Sequence, residues 1–144
     1  MVLEKEKRHK KEILVVILSH DRLETIIETI SSVINSSDGL ADIVVSDNSL
    51  DPAVPLHIKK QFSDIPLIIQ ADAKGAIAHL NAVMNLATSQ SYKYLTIFHD
   101  DDLMLKDYIL NSVTDLKFNN QLIATACNAF IETDGVIKGT FYKK

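Results

Sequence analysis

Residues 13–37 read ILVVILSHDRLETIIETISSVINSS, and this stretch decides the fold class. Ile13 to Leu18 is a continuous aliphatic, β-branched run bounded by polar residues, which predicts a short strand buried on both faces of a parallel sheet. Asp21 with Glu24 three residues on has the form of a capping box, and Leu23, Ile26, Ile27, Ile30, Val33 and Ile34 follow at helical spacing. Strand one therefore leads straight into helix one.

The same alternation continues outward. Asp38-Gly39 ends the first helix, Ile43 to Ser46 forms a second strand, and Asp47-Asn48-Ser49 is a turn-forming cluster. Pro52 and Pro55 break the chain before a short helix near Leu56 to Phe62, and Pro66 to Ile69 makes a third strand. Lys74-Gly75 opens a second strong helix with Ala76, Ile77, Leu80, Val83, Met84 and Ala87 on one face. Tyr94 to Phe98 is a fourth strand that runs into His99-Asp100-Asp101-Asp102. A helix with Leu105, Ile109, Val113 and Leu116 inward comes next, then a strand from Leu122 to Ile131 and a hairpin turn at Thr133-Asp134-Gly135 into Val136 to Tyr142. Strands alternating with helices imply a Rossmann-like α/β layer: a mostly parallel sheet, right-handed crossovers, and helices on both faces.

In such sheets ligands bind beyond the carboxyl ends of the strands, where the strand order reverses. The residues expected there are Ser19, His20, Asp21 and Arg22 after strand one, Asp47, Asn48 and Ser49 after strand two, and His99 with Asp100, Asp101 and Asp102 after strand four. Each cluster alone has an ordinary explanation, because Asp, Asn and Ser are common in turns and at helix caps. The triple aspartate is the exception, since adjacent carboxylates repel one another and a cation would relieve them. Oxygen ligands of this kind suit Mg²⁺ or Mn²⁺, with one or two carboxylates completed by water and a substrate diphosphate. Neither a Gly-x-Gly-x-x-Gly nor a Gly-x-x-x-x-Gly-Lys-Ser/Thr string occurs, so a dinucleotide fingerprint and a P-loop are excluded. The acids follow strand four, whereas a phosphoryl-accepting receiver wants an acidic pair after strand one and its acceptor Asp after strand three, and haloacid-type phosphatases want Asp-x-Asp straight after strand one.

Taken together, ILVVILSHDRLETIIETISSVINSS, DIVVSDNSLD, KGAIAHLNAVMNLA and YLTIFHDDDLMLKDYI, in that order and spacing, resemble glycosyltransferase family 2, enzymes of the GT-A fold. The resemblance covers most of the chain. It implies metal-dependent binding of a nucleotide-diphosphate sugar, with UDP-sugar expected first, and inverting transfer to an acceptor sugar, lipid or protein. By position, Ser19, His20 and Asp21 resemble the loop lining the base and ribose, Asp47 with Asn48 the acid that bonds uracil or ribose, and Gly75 and Asn81 the pair beside the diphosphate. Asp100 to Asp102 resembles the Asp-x-Asp motif: alignment on Asp-Asp-Leu selects His99 and Asp101, counting within the run selects Asp100 and Asp102. Asp101 is the first choice for the Mn²⁺ or Mg²⁺ site, Asp102 the second, and Asp100 is assigned to the nucleotide. Leu18-Ser19, Ser49 and Leu80 depart from the family's usual Pro-Thr, glycine and basic residue, and Lys74 or His79 is the candidate for the missing positive charge. The resemblance also places the catalytic base beyond Lys144, so the GT-A domain is expected to be truncated on its C-terminal side, with donor binding retained and transfer impaired.

The 144 residues suffice for one domain, expected over residues 13–144 after a charged leader at 1–12. A formal charge of -4 argues against binding nucleic acid through its phosphates. The single cysteine, Cys127, rules out an internal disulfide and is expected to be a buried small hydrophobe. Ile13 to Leu18 is far shorter than the ~20 apolar residues of a membrane helix, so no transmembrane segment is expected. The expected location is cytoplasmic, with a lysine-bearing leader suited to peripheral contact at the inner membrane face. Two other readings compete: a nucleotidyltransferase of related α/β fold, disfavoured because a glycine-rich basic loop is missing after strand one, and a non-catalytic nucleotide-binding or interaction module that forms homo-oligomers through an exposed edge strand.

Overall fold

The computed structural model describes residues 10–126 and 129–140. Residues 1–9 of the leader, Cys127 and Tyr142 lie outside the described residues. The chain divides between Ile109 and Leu110 into two compact units.

The first unit contains β1 (Ile13–Ser19), α1 (Leu23–Ser37), β2 (Ala41–Asp47), α2 (Ala53–Gln61), β3 (Leu67–Ile69), α3 (Ala76–Ser89) and β4 (Tyr94–His99). All four strands are parallel, in the order β3-β2-β1-β4. Two crossovers carry the chain outward from β1 to β3, and the third returns it to the other side of β1. This reversal puts α3 on the face opposite α1 and α2. It also places the topological switch point between β1 and β4.

β1 is central, and that explains its composition. Leu14, Val15, Val16 and Ile17 are all fully buried, because side chains alternate between two covered faces. On one face Leu14 and Val16 pack with Val83 and Ala87 of α3. On the α1 and α2 side, Ile26, Ile30, Val33, Val54 and Ile58 close the second layer. Among the described residues no helix is long and apolar enough to cross a membrane.

Several local expectations are corrected. Asp21 does not cap α1: the helix begins after Arg22 with no side-chain cap, and Asp21 sits at φ 56° with its carboxylate turned to other amides. The inner face of α3 is His79, Val83 and Ala87, whereas Ile77, Leu80 and Met84 are exposed. Leu105 precedes α4 (Tyr108–Phe118) and is exposed, leaving Ile109 as the buried residue of that helix. Residues 122–126 are not a strand. The hairpin of the second unit pairs β5 (Phe130–Thr133) with β6 (Val136–Thr140). Its turn is formed as expected, with Asp134 at φ 52° and Gly135 at φ 75°, the positive pair of a type I′ turn. Of the leader, Lys10 lies over the Tyr92 ring at 4.2 Å and the Lys11 amide donates to Asp42.

Candidate functional site

The carboxyl ends of β1, β2 and β4 meet in one hydrogen-bonded cluster. Ser19 pairs with Asp47 across β1 and β2, and Leu18 with His99 across β1 and β4, so the polar residues that follow are forced together by register. The His20 amide donates to Asp100 Oδ2 at 2.8 Å, joining residues 80 apart in sequence. The His20 ring Nδ1 lies 3.0 Å from Asn48 Oδ1, and Asn48 Nδ2 donates to the Ala73 carbonyl at 2.8 Å. Through Asn48 the loop leading to Gly75 is tied to the rim.

Asp47 is 1 % exposed, and its two oxygens accept from the Ser49 amide and the Ser49 hydroxyl. Ser49 Oγ in turn accepts from the Asp21 amide at 2.9 Å. Asp21 Oδ1 completes the return by accepting from the amides of Leu50 and Asp51, at 2.8 and 2.9 Å. Asp21 therefore clamps the β2 loop to the β1 loop from a backbone of positive φ. Ser19 Oγ is buried without a hydrogen-bond partner among the described residues.

The acidic run does not stand as three bare carboxylates. Asp100 is buried and held by the His20 amide, while Asp101 and Asp102 are exposed. Arg22 Nη1 hydrogen-bonds Asp101 Oδ2 and lies 3.6 Å from Asp100 Oδ1. Beside the cation expected to relieve the repulsion, a guanidinium from the β1–α1 loop neutralises part of it. Its proton is held more firmly than usual, first through the hydrogen bond to Asp101 and then through the charges of Asp101 and Asp100. Met104 anchors the far side of the acidic loop, its amide donating to Ser32 Oγ and its carbonyl accepting from Ser36 Oγ.

Among the described residues no three His, Cys, Asp or Glu side chains converge as a ready metal cage. Mg²⁺ and Mn²⁺ do not require one, because one or two carboxylates completed by diphosphate oxygens suffice. The exposed oxygens of Asp101 and Asp102 fit that donor set, and Asp100, engaged by His20, fits it less well.

Gly75 immediately precedes α3 as its N-cap residue at φ 82°, ψ 165°, a region open essentially to glycine alone. A Cβ there would touch nothing within 4 Å, so the requirement comes from the backbone. Asn81 is exposed in the second turn of α3 and forms no hydrogen bond with the cluster among the described residues. Lys74 is exposed.

His79 does not supply a positive charge. It is 3 % exposed, with Nε2 2.9 Å from Ser46 Oγ, and burial lowers its pKa from the ordinary 6.5 against the opposing pull of Asp47. The unfolded imidazole then binds a proton more readily than the folded one. The stability it contributes is complete above 6.5 and is lost as pH falls through that value toward the lowered folded pKa. Urea midpoints recorded between about pH 7.5 and 5 are expected to fall more steeply for the parent than for His79→Gln. Parallel slopes would refute this assignment.

The sequence places Arg22 and Ser49 at the strand ends but shows none of their contacts, and it does not single out Ser46. Their partners lie 33 to 79 residues away or depend on the loop's own path. Two open concavities lie elsewhere, about 450 Å³ beside Phe118 and Leu122 and about 600 Å³ beside Pro55 and Leu67. Asp115 and Lys59 are the charged residues lining them, so the concentration of acids remains at the sheet rim. A family model described as "Glycosyl transferase family 2" matches residues 14–140. No curated protein matches the sequence.

Proposed function

The chain belongs to glycosyl transferase family 2, and on that premise we propose that the β1–β2–β4 rim binds a nucleoside diphosphate sugar, UDP-linked in the first instance, together with Mn²⁺ or Mg²⁺. The observation that carries this reading is the joining of Asp21, Asp47 and Asp100 into one network at the switch point. A sheet edge without a polar ligand has no need for so many converging carboxylates.

In this reading the Asp21–Ser49–Asp47 relay shapes the wall for base and ribose, with His20 and Asn48 at its mouth. The first turn of α3 follows Gly75 with unpaired amides and the positive end of its dipole, which suits a diphosphate. Asp101 and Asp102 would hold the cation. When bound, a divalent cation supplies Lewis-acid stabilisation to the leaving diphosphate. Arg22 adds a second cationic group at the same rim. The proposed transfer is inverting, to an acceptor sugar, lipid or protein, and no carboxylate of this cluster is assigned as the general base.

Calorimetry with UDP, GDP and a thymidine diphosphate, each with and without Mn²⁺, tests the proposal. UDP is expected to bind, and more tightly with the metal. Absence of binding by all three at millimolar concentration would overturn it.

A further inference from the structure

Arg22 occupies an unusual position. Its backbone is fixed, because its carbonyl accepts from Ile26 at 3.2 Å in the first turn of α1. Its side chain is 52 % exposed and can swing without disturbing the core. It meets a run of three carboxylates with a single charge. Asp100 is anchored by its bond from His20 and only 8 % of its side chain is exposed, whereas the Asp101 side chain is 46 % exposed. Exchange of partners is therefore easiest at Asp101.

We propose that Arg22 is the resident counter-ion of the acidic run: it holds Asp101 while the metal is away, yields that carboxylate when a divalent cation binds, and then turns its guanidinium to the diphosphate. This rests on the reading of Asp101 and Asp102 as the cation carboxylates. One carboxylate oxygen cannot give the same lone pair to a guanidinium N–H and to a cation, so the two occupancies compete. Exposed ion pairs are weak, which lets the contact open readily. The released group is a planar fork of N–H donors, the geometry that phosphate oxygens accept best. The design leaves the carboxylates compensated without the ligand and brings two cationic groups to the diphosphate with it.

One substitution should then move two affinities in opposite directions. In Arg22→Met, binding of Mn²⁺ alone, followed by electron paramagnetic resonance of the free ion, is expected to tighten by about 3- to 5-fold, the upper size of a lost exposed ion pair. Binding of UDP at saturating Mn²⁺ is expected to weaken by about 10-fold, as for a lost charge-assisted hydrogen bond. Arg22→Lys keeps the charge without the fork and should leave Mn²⁺ affinity near the parent while weakening UDP. Lys59→Met, which removes an equal charge from α2, should shift neither by more than about twofold at physiological ionic strength, where distant charges are screened.

Mn²⁺ affinity unchanged or weakened in Arg22→Met, in a parent that does bind Mn²⁺ and UDP, would overturn the exchange and leave the donor-binding reading standing. Unchanged UDP affinity would overturn the turn toward the diphosphate. If neither the parent nor Arg22→Met binds Mn²⁺, with UDP or without it, the metal reading fails and the exchange fails with it.

Discussion

Replacing Asp47 by alanine is expected to weaken UDP binding by about 30-fold, equivalent to about 2 kcal/mol for the loss of a buried, hydrogen-bonded carboxylate. Asp47 is almost fully buried, and both of its oxygens serve Ser49. Removal leaves the Ser49 amide and hydroxyl without acceptors and loosens the hydroxyl that receives the Asp21 amide. Two loops would then lose their mutual position at the proposed base and ribose wall. Ser49→Ala should act in the same direction with a smaller effect, since it breaks the relay but spares the carboxylate. Calorimetry on a variant with parental circular dichroism is the measurement. A Kd within about threefold of the parent, roughly half a pKa unit in free energy, would remove Asp47 from the site.

Leu14→Ala is expected to cost about 3 kcal/mol of stability, within the range for large-to-small changes in a close-packed core. Leu14 is fully buried in the central strand and shares its cluster with Val16, Val83 and Ala87. Flanked by β2 and β4, β1 cannot shift to fill the space without moving both neighbours. Ile77→Ala provides the contrast. Ile77 is apolar and stands at helical spacing with Leu80 and Met84, yet it is 78 % exposed, so its truncation should change stability by less than about 0.5 kcal/mol. Urea denaturation of both variants compares them directly. A larger loss for Ile77→Ala than for Leu14→Ala would contradict the packing described for this face.

The orientation of α3 illustrates where local patterning stops. Its apolar residues fit more than one face, and the choice fell to the face carrying His79. Burying an imidazole is tolerable there only because Ser46, on β2, is placed to hydrogen-bond it. Likewise, Asp21 and Glu24 match a capping box in spacing, but the amides of Leu50 and Asp51 claim the carboxylate instead. The acidic run was legible as a charged cluster, while its compensation by Arg22 was not, since 79 residues separate the partners.

The alternation of strands and helices, the burial of β1 on both faces, and the gathering of polar residues immediately after β1, β2 and β4 are legible in the residues alone. Those properties follow from side-chain periodicity and turn chemistry, which are local. The placing of β4 beside β1, the inward turn of the His79 face of α3, and the meeting of Arg22 with Asp101 at the switch point emerge only on packing. Strand order, helix rotation and ion pairing depend on which distant segments come into register, and that is a property of the packed chain as a whole.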